Sequence, residues 1–351
     1  MPDLCPLFTS VDRGIVTTLR NPTQRIPHEM WVRMLIDPVC AAYVIYGVTL
    51  DAFQAARLRY YWWVPQLIDS AGVSSGKTFV IWLYVNLRAI LIPDQEIAVF
   101  YPVYEQGKNT FWNYYTEMQT KFGDRAAVFQ AQLGKPAQFD AGDEKGGDGT
   151  LHGSACYKAF FKNGNKILMP APSFMKDAVT QASLRLNVMV IEEWPEIDAM
   201  SDGINKQLIS RVTRASWNQF HPVWCNHILY SGHAMSLMHP SARRYKAHLR
   251  AEKRGDPRFA NITSSYKDYS NRACYTGKTF QETYRVESTI EADRSTTSQS
   301  EWLGKGFGIW GALVKGLFTE QALLQCRANG KLRHVTPVLS RNQFEQIHFS
   351  T

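Results

Sequence analysis

The apolar positions of this chain gather in short unbroken runs separated by polar turns, not in long alternating stretches. Residues 61–69 (YWWVPQLID) read as a strand and residues 79–92 (FVIWLYVNLRAILI) as a buried helix. Residues 96–103 (EIAVFYPV) read as the next strand, leading into an aromatic-rich helix over 104–122. The run Val188, Met189, Val190, Ile191 needs no alternation if its strand is covered on both faces. It ends in two acids and is stopped by Pro195. Residues 227–230 (HILY) form another short buried strand, ending in Ser231, Gly232 and His233. Strand alternating with helix predicts an open, mainly parallel sheet with helices on both faces.

Other segments are read from turn chemistry and polarity. Asn163-Gly164 between apolar runs predicts a hairpin over 160–168. Residues 138–154, rich in Gly and Asp, read as a mobile surface loop, and 291–300 (EADRSTTSQS) as a hinge or exposed connection. Helical fragments are expected over 28–35 and 39–48. Residues 50–54 lead into a further helix, and 203–213 form another that ends near Arg211 and Arg214. No internal repeat is visible.

Composition narrows the class. With 351 residues and 45% hydrophobic content the chain can bury a sizeable core, as one large or two modest domains. The net charge of +8 favours a polyanionic partner. Six scattered cysteines (5, 40, 156, 225, 274 and 326) show no CxxC or His-paired spacing, which argues for reduced thiols and against a zinc site. The apolar stretch 79–92 carries Asn86 and Arg88, so it reads as a core helix and not a membrane span. No signal peptide or membrane partner is expected.

The candidate chemistry begins at Ala71-Gly72-Val73-Ser74-Ser75-Gly76-Lys77-Thr78. Set between a strand and a helix, this is a phosphate-binding P-loop with Ala in place of the first Gly. Small residues let backbone N–H groups curl around the β-phosphate, and the helix N-terminus adds its dipole. Lys77 would reach the β/γ oxygens of ATP, and the Thr78 hydroxyl would hold Mg²⁺. The paired acids downstream complete this logic, with Glu192 near the metal and Glu193 orienting the attacking water. Glu192 stands where Asp is usual, a second departure. Gln54, ahead of the loop, offers a donor and an acceptor that suit adenine, although a solvated helix Gln fits equally. Ser231, Gly232 and His233 beside the acids suit a γ-phosphate sensor, or simply a turn.

In this order the motifs resemble the ATPase part of a large terminase subunit, the DNA-packaging motor of tailed bacteriophages. The resemblance covers roughly residues 50–320. It runs through Gln54, the AGVSSGKT loop, the FFKNGNKILM hairpin, Leu184-Arg185, the VMVIEEW strand and the LYSGH tip. It ends with Glu301-Trp302-Leu303-Gly304, Trp310 and Leu317-Phe318. It implies a P-loop NTPase of the ASCE, RecA-like class, α/β with a central mainly parallel sheet flanked by helices, plus a small helical lid or linker subdomain. The implied division is a helical segment (1–50), an ATPase core (51–240), the rest of the ATPase domain with its lid (241–310), and a linker (311–351). ATP-driven movement of double-stranded DNA into a procapsid would follow, in the host cytoplasm, by a homo-oligomeric ring working with a portal protein and a small terminase subunit.

Two departures from the family shape further expectations. Many relatives carry Arg at the third loop position, where this chain has Val73, so the charge-stabilising role must move. Arg185, Arg211 and Arg214 are the candidates, acting on a neighbouring subunit's nucleotide, and Arg185 is placed first. From Gly311 to Thr351 the only acids are Glu320 and Glu345, too few for a two-metal nuclease, so no nuclease activity is expected: the chain is either an ATPase-domain fragment, the favoured reading, or works with a nuclease on a separate chain.

Arg243, Arg244 and Lys246, with Arg250, Lys253 and Arg254 beyond, form either a DNA-phosphate surface or a solvated helix. A helicase-like nucleic-acid translocase is the alternative function, but no second nucleotide-binding pattern follows residue 240. A small-molecule kinase fits the basic chain poorly, and a degenerate structural ring is the non-enzymatic reading.

Overall fold

The computed structural model describes residues 28–72, 75–93, 95–107, 109–110, 156–161, 163–170, 186–200, 227–237, 239–269, 274–275, 280–281, 291–295 and 297–311. Helices α1 (His28–Ile36) and α2 (Pro38–Ala41) and a π-helical turn (Ala42–Tyr46) come first. Helix α3 (Ala52–Trp63) starts at a capping box in which Asp51 and Gln54 satisfy each other's backbone N–H. It stops at Val64, because the residue before Pro65 disfavours helical geometry.

Residues 61–63, expected in the first strand, therefore finish α3 instead. Aromatic residues suit a strand or a buried helix face equally. The cap upstream and Pro65 downstream decide between them. Tyr61 and Trp62 are buried, and Trp62 Nε1 donates to the Leu35 carbonyl at 2.9 Å.

Strand β1 (Gln66–Ala71) leads through the glycine-rich loop into α4 (Lys77–Leu91), then β2 (Glu96–Phe100) and the short α5 (Tyr104–Gly107). Strands β3 (Cys156–Phe160) and β4 (Lys166–Pro170) form the expected hairpin, with Gly164 at φ +85° in its turn. Strand β5 (Val188–Ile191) carries the acids at its end and runs into α6 (Trp194–Met200). Then come β6 (His227–Gly232), α7 (Ala242–Lys253), β7 (Phe259–Ser264) and α8 (Tyr266–Tyr269). A two-stranded ribbon of β8 (Cys274–Tyr275) and β9 (Phe280–Gln281) precedes α9 (Gln299–Phe307). The expected loop 138–154, the helix 203–213 and most of the helix 104–122 lie outside the described residues.

The seven-stranded sheet has the order β3-β4-β2-β5-β6-β1-β7, parallel throughout except for the β3–β4 hairpin. Both faces are covered, as unbroken apolar strands require. Leu67, Ile97, Val99, Val188, Val190 and Leu229 meet α1 to α4 on one face. Their chain neighbours Ile68, Ala98, Met189 and Ile228 meet Trp194, Ala242 and Trp310 on the other. This is a mainly parallel α/β sheet with helices on both faces. Among the described residues no helix is long and apolar enough to cross a membrane. In α4 the polar Asn86 and Arg88 are fully buried, and Asn86 Nδ2 donates to the Trp82 carbonyl at 2.8 Å.

The described residues of 291–300 are mostly exposed, yet the stretch is tied down at both ends. Tyr266 Oη donates to Glu291 at 2.8 Å, and Ser298 caps α9. Beyond it, α9 lays Trp302 against Tyr266 and Phe307. Gly304 passes so close to the segment after β6 that a Cβ there would meet the Ala234 carbonyl oxygen at 2.1 Å. Trp310 then donates from Nε1 to Ser70 Oγ at 2.8 Å and stacks on Tyr245.

Candidate functional site

Strand order brings the separate motifs together. Strand β6 lies between β1 and β5, so the loop after β1, the acids after β5 and the tip of β6 share the carboxyl edge of the sheet. Ligands of open parallel sheets bind at that edge.

The loop geometry explains the first departure from the usual pattern. Ala71 is the last paired residue of β1, opposite Ser264 of β7, so its backbone is ordinary strand and makes no demand for Gly. Gly72 N–H donates to the Ser264 carbonyl at 3.0 Å, and Gly76 caps α4 with φ +75°, which favours glycine. Val73 and Ser74 lie outside the described residues; Ser75 is buried. Lys77 Nζ donates to the Ala71 and Gly72 carbonyls at 3.0 and 3.4 Å, so its ammonium sits inside the loop.

Thr78 Oγ1 donates to Glu192 Oε1 at 2.7 Å, joining the first turn of α4 to the end of β5. Burial pushes the Glu192 carboxyl up to about 7; the Glu193 charge adds to this, while Lys77, Ser231 and Thr78 oppose it. A hydroxyl and a carboxylate together are the hard oxygen donors that Mg²⁺ prefers, so these residues fit that ion. The longer side chain of Glu192 still reaches Thr78, which answers the second departure.

Glu193 occupies a turn with φ +48°, the one non-glycine residue with positive φ among those described. Its Oε2 lies 3.0 Å from His233 Nδ1. Burial pushes its carboxyl up, but the His233 hydrogen bond and the Lys77 charge outweigh this, leaving it below its ordinary value. Two adjacent carboxyls are thus driven apart, one toward neutrality and one toward the ionised form. Gly232 permits the approach, because a Cβ there would meet Pro195 Cδ at 2.9 Å. Ser231, fully buried, pairs in register with Asp69 of β1. Glu196, not singled out from the sequence, adds a carboxylate, and the ligand atoms of Glu193, Glu196 and His233 all lie within 4.8 Å of one another.

Gln54 is buried, and its Oε1 accepts from Asp51 N–H at 3.3 Å as part of the α3 cap. One turn on, along the same buried face, stands Arg57, which the sequence reading passed over. Arg57 Nη1 donates to the Ser75 carbonyl at 2.9 Å, and its Nε faces Asp69 Oδ2 at 2.8 Å. Tyr61 Oη donates to the same Asp69 oxygen at 2.5 Å. Burial and the Asp69 charge hold that hydroxyl well above its usual range, so it remains a donor.

The basic cluster does not face one way. Arg244 turns inward, donating to Tyr230 Oη at 2.8 Å with its guanidinium over that ring, and Lys246 reaches the Leu237 carbonyl at 3.5 Å. Arg243, Arg250, Lys253 and Arg254 are exposed. Arg185, Arg211 and Arg214 lie outside the described residues.

No protein-family model and no curated protein matches the sequence. Among solved structures the chain is similar to the large terminase from a thermophilic bacteriophage, at 12% identity over 78% of this chain and 57% of that one, with TM-score 0.48. It is similar to the HK97 bacteriophage large terminase at 13% identity over 75% and 51%, TM-score 0.49. A third likeness is to the Thermus phage P74-26 large terminase ATPase domain, at 13% identity over 62% and 95%, TM-score 0.32. The first of these proteins has been solved with ADP and with ATP-gamma-S. The chain spans about half the length of the first two proteins. By its own strand order and phosphate loop it has the P-loop NTPase fold, and it is similar in structure to large terminases of several bacteriophages.

Proposed function

We propose that this chain is an ATPase that drives double-stranded DNA into a viral procapsid. The observation that carries the hydrolytic part is the Thr78–Glu192 hydrogen bond at 2.7 Å, with Lys77 inside the loop and Glu193 held beside it by His233. Backbone N–H groups of the loop bind the phosphates, and Lys77 exchanges its carbonyl partners for β/γ oxygens. Thr78 and Glu192 would hold Mg²⁺, which when bound offsets charge on the phosphate oxygens. Glu193, ionised, orients a water for attack on the γ-phosphorus. The bond to the β-phosphate bridging oxygen breaks, leaving ADP and inorganic phosphate. Ser231, Gly232 and His233 couple that event to the rest of the sheet, and Gln54 contacts adenine from the α3 terminus.

The DNA-packaging part rests on the order of motifs along the sequence and on the +8 charge. Arg243 and Arg250 on the outer side of α7, with Arg254 just after it, form a surface for backbone phosphates. The remaining charge-stabilising group is Arg185, with Arg211 and Arg214 behind it, offered to a neighbouring subunit in a ring. An arginine supplied this way is worth about 10³–10⁵ in rate, so an isolated subunit hydrolyses slowly. A portal protein, a small terminase subunit and the host cytoplasm complete the proposed setting.

The test is ATP hydrolysis by the purified chain at several protein concentrations, with and without double-stranded DNA, beside Lys77→Ala and Glu193→Gln. Hydrolysis that requires both residues and rises with concentration and DNA is expected. Nucleotide binding without turnover under every condition, or a Glu193→Gln variant as active as the parent, refutes the motor.

A further inference from the structure

Arg57 is a buried cation, 1% exposed, that none of the chemistry above uses. An ion pair with Asp69 alone would be a weak reason to bury it, since apolar side chains of similar volume often serve as well. Its planar fork does more, because it points two further N–H groups at two other elements. Nη1 donates to the Ser75 carbonyl within the phosphate loop, and Nη2 donates to Ser264 Oγ at the end of β7, 3.2 Å away. The Phe53 ring covers the guanidinium, 4.4 Å from its centroid. Ser264 also receives the Gly72 N–H on its carbonyl. Both limbs of the loop are therefore anchored at one residue: Gly72 directly and Ser75 through Arg57.

The peptide plane turns this anchoring into function. In a trans peptide the C=O and the following N–H point in opposite directions. With the Ser75 carbonyl drawn back onto Arg57, the Gly76 N–H is aimed away from Arg57, to the other side of the loop. A loop whose peptides are pre-aimed need not reorganise when an anion arrives, and this favours binding. We infer that Arg57 is a positioning residue for nucleotide, one that sets the Ser75–Gly76 peptide of the phosphate loop so that the Gly76 N–H faces the diphosphate. This rests on the nucleotide-site reading above. The Asp69–Tyr61 pair beneath it holds the guanidinium but does not touch the loop.

The test is titration of the full chain with fluorescent ADP and ATP analogues, alongside thermal unfolding. Arg57→Lys keeps the charge beside Asp69 but loses the fork. It is expected to weaken ADP and ATP alike by about tenfold, the scale of one lost hydrogen bond from a charged donor. Tyr61→Phe removes a bond from the same network and should lower stability while binding as the parent does. If Arg57→Lys does not fold, a triple variant with Arg57→Met, Asp69→Leu and Tyr61→Phe replaces the network with apolar side chains and should show the same nucleotide loss. Parental affinity in a folded Arg57 variant overturns the inference, as does equal loss in Tyr61→Phe. Lys77→Ala separates the two readings. If the parent binds nucleotide and Lys77→Ala does not, the P-loop stands whatever Arg57 does, whereas a parent that binds none overturns both.

Discussion

Across the gap between the tips of β5 and β6, Glu193 Oε2 and His233 Nδ1 stand 3.0 Å apart. The contact holds the carboxylate proposed to orient water, and it exists because Gly232 presents no Cβ to Pro195. His233→Ala should lower kcat about tenfold while leaving nucleotide affinity unchanged, and Glu193→Gln should lower it by about 10²–10⁴. Steady-state kinetics beside nucleotide titration check both; equal losses in kcat and affinity would assign His233 to binding instead.

Thr78 and Glu192, proposed as the oxygen donors for Mg²⁺, are joined by a 2.7 Å hydrogen bond. Thr78→Ala should raise the Mg²⁺ concentration needed for half-maximal hydrolysis about tenfold, the scale of one lost ligand contact, and Thr78→Ser should restore it. Chelation of divalent ions should abolish turnover. A Thr78→Ala variant with the parental Mg²⁺ response would place the metal elsewhere.

Glycines of α9 and its exit set how closely the segment 299–311 packs on the sheet. At Gly308, φ is +64° and a Cβ would lie 2.0 Å from the Ser70 carbonyl oxygen; at Gly304 it would lie 2.1 Å from that of Ala234. Alanine at either site should cost about 1–3 kcal/mol from overpacking. Gly255 is the contrast, with φ +77° and open space around it, so alanine there costs about 1 kcal/mol from backbone strain alone. Urea midpoints of the three variants report the order, and parental stability in Gly304→Ala would contradict the packing.

His248 is buried between Tyr230 and Phe259, and burial, aided by the Arg244 charge, pushes its imidazole down from 6.5 to about 4. The unfolded chain therefore binds more protons between those values. The stabilisation is fully present above pH 6.5 and is lost as pH falls toward 4, amounting to about 3 kcal/mol. Urea unfolding across pH 4–7 should show this slope, and His248→Phe should flatten it. A slope unchanged by the substitution would assign acid sensitivity to other groups.

What could be read along the chain was local in origin. The phosphate loop, the apolar run of β5 with its acids, the Asn163-Gly164 turn and the tip of β6 each depend on neighbours a few residues away, so spacing and turn chemistry suffice. Residues 61–63 misled because their aromatic side chains satisfy a strand and a buried helix face equally. The deciding signals were Pro65 and the Asp51–Gln54 cap. Arg57 left no trace in its surroundings, since its partners Asp69, Ser75 and Ser264 lie 12, 18 and 207 residues away. The docking of Trp310 on Ser70 spans 240 residues and was equally hidden.

The sequence by itself determined which residues could do chemistry, because a phosphate loop and paired acids are patterns of residue type and spacing. Tertiary structure decided which of them meet. Only the placing of β6 between β1 and β5 sets Thr78 against Glu192 and His233 against Glu193. It also turned Arg244 inward, out of the expected basic surface. Strand order is settled by how two apolar faces are covered at once, a property of the whole sheet that no short window of residues contains.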